Sequence, residues 1–139
     1  MPSVLITGAS RGIGHAAARQ FAKAGWDLLL LSRSEAALQS LAAELTGLGR
    51  RVVYQACDLS DPSAIAPAVG QLLGHGLRPS VLINNAGAAY TGDLLEMPLD
   101  RWQWLLQLNL TSVFQLCSAV VPSMRGACLL YTSPSPRDS

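Results

Sequence analysis

Thr7-Gly8-Ala9-Ser10-Arg11-Gly12-Ile13-Gly14 is the stretch that decides how this chain is to be read. It follows a continuous run, Val4 to Thr7, and leads into a segment where Ile13, Ala17 and Phe21 recur every four residues. A strand, a glycine-rich turn and a helix in that order make a βα unit. Gly8 permits a tight turn, Gly12 lets the backbone approach a pyrophosphate, and Gly14 lets the helix pack close to the strand. Pyrophosphate would sit on free N–H groups at the helix N-terminus, where the helix dipole favours negative charge. The spacing is G-x3-G-x-G rather than the general dinucleotide pattern G-x-G-x-x-G, and a bare glycine cluster also marks ordinary βα turns.

Outward from this turn, Leu28 to Leu31, Val52 to Ala56 and Val81 to Ile83 are again continuous rather than alternating. Strands buried on both faces read this way, so the sheet is expected to be parallel. Gly25 stops the first helix. Ser34 can cap a second, whose Leu38, Leu41 and Leu45 share a face and which ends at Gly47 and Gly49. Asp61-Pro62 reads as N-cap and first-turn proline of a third, with Ile65, Val69, Leu72 and Leu73 on its apolar side; Pro67 should bend it. A long helix starts near Pro98, with Asp100 in its first turn and Trp102, Leu105, Leu106, Val113, Leu116 and Val120 on one stripe. Four βα units in succession predict an α/β fold: a doubly wound, Rossmann-like parallel sheet, truncated after the fourth unit.

Composition narrows the function classes. Half of the 139 residues are hydrophobic and 14% are charged, so the chain can bury a sizeable core. A net charge of +1 without a basic run gives nucleic acid nothing to bind. No charged segment precedes a long apolar stretch, and the longest aliphatic run, Leu28 to Leu31, is far short of a membrane span. Cys57, Cys117 and Cys128 form neither a CxxC pair nor a metal-ligand spacing, which reads as reduced thiols and no metal site. A cytoplasmic domain with no membrane partner is expected.

The glycine turn, then Asp58-Leu59 after the third strand, Asn84-Asn85-Ala86-Gly87 after the fourth and Asn109 in the long helix together resemble the short-chain dehydrogenase/reductases. Order and spacing match throughout residues 3–126. The resemblance implies that Gly8, Ser10, Arg11, Gly12, Ile13 and Gly14 border the cofactor's phosphates. It implies that Asp58 hydrogen-bonds the adenine amino group, that Leu59 lines the adenine pocket, and that Asn85, Ala86 and Gly87 border the ribose and the route to the nicotinamide. Read from the residues alone, Asp58 could instead cap a helix, although Ser60 and Asp61 already offer that.

Selectivity between NAD(H) and NADP(H) lies at the carboxyl end of the second strand. Asp27 stands before Leu28 and so at the wrong end. The right end reads Ser32-Arg33-Ser34, where a guanidinium can pair with a 2′-phosphate and no carboxylate repels it. Arg11 adds a second cation, the pattern of NADP-preferring relatives. Glu35 is the counterweight, since it could accept from a 2′-hydroxyl if the turn shifted. NADP(H) is favoured over NAD(H).

Asn109 falls between Leu106 and Val113 on the apolar stripe, where an amide needs a partner. A core asparagine satisfied by backbone is one reading. The resemblance implies another, a catalytic asparagine holding a water that connects the active-site lysine to solvent, alongside Ser, Tyr and Lys. The Tyr-x-x-x-Lys pair of such a site does not occur: the only lysine is Lys23, and Asp58, Leu94 and Ser135 stand four residues after the three tyrosines. The parent protein is therefore expected to be a homo-oligomeric enzyme interconverting a small-molecule carbonyl and an alcohol, of which this chain is a catalytically incomplete N-terminal part. A non-catalytic dinucleotide sensor is the alternative. A sugar-nucleotide epimerase or dehydratase would carry TGxxGxxG instead.

Residues 1–127 are read as the partial NAD(P)-binding domain and residues 128–139 as a non-native tail. CLLYTSPSPRD, residues 128–138, is also the translation of a string resembling the adaptor of transposon-based sequencing libraries, which makes Ser133 a decoy for a catalytic serine. Without the tail, Val81 to Ile83 becomes a sheet edge. Its apolar run, Cys128 to Thr132, can nevertheless imitate a missing neighbour and pair there over a short length.

Overall fold

The computed structural model describes residues 2–88, 92–124 and 129–132. Strands β1 (Ser3–Thr7), β2 (Asp27–Ser32), β3 (Val52–Ala56), β4 (Val81–Asn84) and β5 (Leu129–Thr132) form one sheet in the order β3-β2-β1-β4-β5, with every pairing parallel. The four continuous apolar runs are thus four adjacent strands. Side chains alternate along each strand, so each run feeds two cores. Leu5, Leu29, Leu31 and Leu82 meet α3 (Pro62–Leu73) and α5 (Ser112–Val120) on one face. Val4, Ile6, Leu28, Leu30 and Val81 pack on the other, with α1 (Gly12–Lys23) and α2 (Glu35–Thr46). This is the doubly wound sheet.

Caps fall where the sequence puts them. Ser34 accepts from the Ala37 N–H at the start of α2, and Asp61 from the Ser63 N–H at the start of α3. Helix α3 continues through Pro67. Arg50 and Arg51, just before β3, donate to the carbonyls of Gly25 and His75, beyond the ends of α1 and α3. Cations there offset the negative end of each dipole.

Three expectations need correction. The buried face of α1 is Gly14, Ala18 and Ala22; Ile13 is 79% exposed, and Ala17 and Phe21 only flank the core. Close helix–strand approach selects the small residues rather than the large ones at the same period. Strand β3 is half-buried along its length because it is the sheet edge. With the tail present, as expected, β5 pairs with β4 over four residues, Val81↔Leu129 to Asn84↔Thr132, and so satisfies its backbone groups. The pairing is as short as expected. Cys128 and residues 133–139, Ser133 included, lie outside the described residues.

The third correction concerns the long helix, which is not one regular element. After α4 (Leu99–Leu106) comes a π-helical turn, Gln107–Thr111, before α5. A π turn takes in an extra residue, so a stripe drawn at period 3.6 does not run through it. Leu105, Leu116 and Val120 are buried, Val113 is half-buried, and Trp102 and Leu106 face outward. Leu99, Leu110, Phe114 and Val121 are exposed too. Leu99–Ser123 spans 25 residues and contains an 18-residue window of mean hydropathy 1.4, long and apolar enough to cross a membrane by length and composition alone. The sequence reading overlooked this because polar residues interrupt the aliphatic run.

Candidate cofactor site

The carboxyl ends of β1, β2, β3 and β4 open onto one cleft of about 630 Å³. Gly8, Ser10, Arg11 and Gly12 form its floor from the first βα turn, and Ser32 and Arg33 enter from the end of β2. Asp58 and Leu59 line it after β3, Asn85, Ala86 and Gly87 after β4. Ten of the sequence-derived positions thus converge. The other three, Ile13, Gly14 and Asn109, do not line this cleft.

Local geometry explains the glycines. Gly8 and Gly12 have φ of +64° and +63°, a region L side chains rarely adopt. A Cβ on Gly14 would stand 2.3 Å from the Gly8 carbonyl oxygen and 2.6 Å from Asn85 Nδ2, so this position is filled by contact. A Cβ on Gly12 would meet nothing within 4 Å: the backbone is bare on the cleft side. Among the described residues no side chain caps α1 or occupies its first-turn N–H groups. An anion such as pyrophosphate fits this cradle.

Buried Thr7 fastens the turn to its neighbour. Its Oγ1 accepts from the N–H groups of Asn85 (3.0 Å) and Ala86 (3.1 Å), while Asn85 Nδ2 donates to the Gly8 carbonyl. The Asn-Asn-Ala-Gly turn is therefore held to the end of β1 by side chains that read in the sequence only as motif letters. Ser32 donates to Ser10 across the cleft at 2.6 Å.

Asp27 accepts from the Arg51 N–H at the opposite end of β2, which disposes of it as a ribose ligand. Glu35 opens α2 and does not line the cleft. Asp58 Oδ1 accepts from the N–H (3.0 Å) and hydroxyl (2.6 Å) of Ser60. These bonds hold its carboxyl below the usual aspartate value, with a smaller contribution from Arg33. Asp61, not Asp58, caps α3.

Asn109 is exposed rather than buried. Its Oδ1 accepts from the Ala88 N–H at 2.8 Å and its Nδ2 donates to the Ala88 carbonyl at 2.6 Å. The amide grips the backbone of the turn beside Gly87, whose Cβ would lie 3.0 Å from Asn109 Oδ1. Its partner is backbone, as in the core-asparagine reading, but it does not sit in the core: the π turn carries it off the stripe.

Ala88, Trp104 and Leu108 also line the cleft without having stood out in the sequence, as does Cys57, which reads there only as a reduced thiol. Arg101 stacks on Trp104 at 4.3 Å. Burial, aided by Asp58 and Asp61, pushes the Cys57 thiol up to about 11. At pH 8, on the order of one such thiol in a thousand is ionised. Iodoacetamide should therefore alkylate Cys57 roughly a hundredfold more slowly in the folded protein than in urea. Peptide mass spectrometry checks this, and equal rates would contradict it.

Comparison with known proteins follows the same outline. Residues 2–128 match the family model described as short chain dehydrogenase. Oxidoreductase UcpA of Escherichia coli strain K12 is 37% identical over 122 residues, covering 88% of this chain and 46% of that protein. The chain spans about half the length of the curated relatives it matches. Among solved structures, a blue fluorescent protein from a metagenomic library in complex with NADPH superposes with a TM-score of 0.91 at 30% identity, covering 97% of this chain and 56% of that one. A short-chain dehydrogenase from Sphingobium yanoikuyae in complex with NADPH is 40% identical with a TM-score of 0.79, covering 88% and 48%.

Proposed function

The chain belongs to the short-chain dehydrogenase family, and on that basis we propose that it is the N-terminal, cofactor-binding part of an NADP(H)-dependent oxidoreductase acting on a carbonyl and its secondary alcohol. The observation that carries the reading is the juxtaposition of a bare glycine cradle with two arginines, Arg11 and Arg33, around one cleft. The cradle suits a pyrophosphate, and the arginines suit a 2′-phosphate next to it. The relatives solved with NADPH support the same preference.

In this reading Asp58 receives the adenine amino group and Leu59 covers the ring, while Asn85 to Gly87 border the ribose. Bound there, the nicotinamide supplies or accepts the hydride. Asn109 holds the turn at Ala88 in place near the reacting end. A tyrosine and a lysine spaced Tyr-x-x-x-Lys, absent from these 139 residues, would move the proton at the substrate oxygen in the full-length protein. Residues 128–139 are proposed to be non-native. Homo-oligomerisation would cover the outward row of Leu99, Trp102, Leu106, Leu110 and Phe114, and a cytoplasmic location accords with a soluble NADP(H) pool.

The test is reduction of a ketone panel by the full-length protein with NADPH and with NADH. Arg33→Glu should lower the NADPH-to-NADH ratio of kcat/KM by roughly 10–150-fold, because a charged phosphate contact becomes a repulsion. An unchanged ratio in that variant would defeat the assignment of the 2′-phosphate site. A sensor would bind NADPH and reduce nothing, even with the Tyr–Lys pair present.

A further inference from the structure

Two glutamines that the cofactor reading leaves unused join the long helix to the adenine-side wall of the cleft. Gln107, the first residue of the π turn, donates through Nε2 to the Leu59 carbonyl (3.2 Å) and to Gln115 Oε1 (2.8 Å). Gln115 in turn donates through Nε2 to the Pro62 carbonyl at 3.2 Å. Both side chains are half-buried. The Leu59 carbonyl lies in the connection that carries Asp58 and Leu59 into the cleft, and the Pro62 carbonyl belongs to the first residue of α3, where that connection ends. Within that segment the remaining bonds are local: Asp58 to Ser60, and the Asp61 N–H to the Asp58 carbonyl.

Spacing explains why the π turn matters. Residues eight apart on a straight α-helix diverge by about 80° around its axis, too far for two glutamines to share one neighbour comfortably. A wider turn between them takes up that offset, so Gln107 and Gln115 meet side by side. The same turn presents Asn109 to Ala88. One irregular turn thus holds two of the loops bordering the cleft, those after β3 and β4, through a different amide for each.

We propose that Gln107 and Gln115 are positioning residues for the adenosine half of the cofactor, with Gln107 setting the Leu59 wall and Gln115 aligning Gln107. This rests on the cleft taking NADP(H). Neither residue touches the reacting end, so their effect is confined to adenosine-side affinity. A general loosening of the fold would weaken both halves of the cofactor alike.

The experiment uses the full-length protein and calorimetric binding of three probes: NADPH, adenosine 2′,5′-bisphosphate and reduced nicotinamide mononucleotide. Gln107→Leu should weaken NADPH and the bisphosphate by about 3–10-fold, the worth of one buried hydrogen bond, and leave the mononucleotide within about twofold. Gln115→Leu removes the acceptor for Gln107 and the donor to the Pro62 carbonyl, and should weaken NADPH and the bisphosphate by about 2–5-fold while leaving the mononucleotide within about twofold. Thermal unfolding of each variant shows whether it is folded, and the mononucleotide reports on the rest of the site. Equal weakening of all probes by Gln107→Leu, or none, overturns the proposal, as does a Gln115→Leu protein that binds NADPH and the bisphosphate as the unsubstituted protein does. Failure of the unsubstituted protein to bind either NADPH or the bisphosphate overturns the cofactor reading itself.

Discussion

Gly14→Ala in the full-length protein should cost about 3 kcal/mol or more and lower the melting temperature by roughly 10 °C. The added Cβ would lie 2.3 Å from the Gly8 carbonyl oxygen and 2.9 Å from its carbon, and both belong to backbone. No rotamer change can relieve such a contact. Either Gly8 leaves its φ of +64° or α1 lifts off β1, and both movements break the cradle. NADPH affinity should fall by two orders of magnitude or become unmeasurable.

Gly12→Ala is the control. Its Cβ meets no atom within 4 Å, so its structural cost is only the strain of a left-handed backbone, about 1–2 kcal/mol. Affinity should still drop tenfold or more, because the methyl group occupies the bare side of the cradle. Stability and binding are thus expected to separate between two glycines two residues apart. Calorimetry and thermal unfolding on the same preparations measure both, and a Gly14→Ala protein melting within 2 °C of the parent would contradict the packing argument.

The second large effect concerns the 139-residue chain by itself, which should reduce no carbonyl substrate and should associate rather than melt cooperatively. Its only lysine lies in α1, so it has no Tyr-x-x-x-Lys pair to move a proton. The outward row on the long helix includes Leu99 at 70%, Trp102 at 46%, Leu110 at 66% and Phe114 at 72% exposure. Each large apolar side chain left uncovered forgoes about 1.5–3 kcal/mol, and four forgo roughly 6–12. That rivals the whole 5–15 kcal/mol margin typical of a domain. Size-exclusion chromatography, circular dichroism on heating and NADPH titration make the check. A monomer that melts cooperatively and binds NADPH at micromolar concentration would overturn this expectation.

The sheet was legible because each apolar run is short, continuous and bounded by turn residues, and each of its two faces finds a helix layer. The glycine turn was legible because three glycines there answer three separate steric demands. The inward face of α1 was misjudged by one residue. Its pattern of large residues points at Ile13 and Phe21, whereas close approach to β1 is decided by the small ones. Asn109 was found, but its surroundings were not. A π turn is a change in hydrogen-bond register, and hydrophobic spacing carries little trace of it. Gln107 and Gln115 gave no signal, since a glutamine on a helix is as easily solvated as bonded. Trp104 and Leu108 read as ordinary helix residues until the fold brought them beside Leu59.

Arg50 and Arg51 have a mechanical consequence. Neighbours in the chain, they reach the carbonyls beyond helices on opposite faces of the sheet, α1 on one and α3 on the other. Arg51 is further tied to the start of β2 through its own N–H and carbonyl, bonded to Asp27 and Leu28. The two layers are thereby sewn to a single peptide unit along one rim, as pages are to a spine. Amide exchange at Gly25 and Gly76 should accordingly quicken when Arg50 and Arg51 are replaced by alanine, while that of Ala86, bonded to Thr7 at the other rim, should not change.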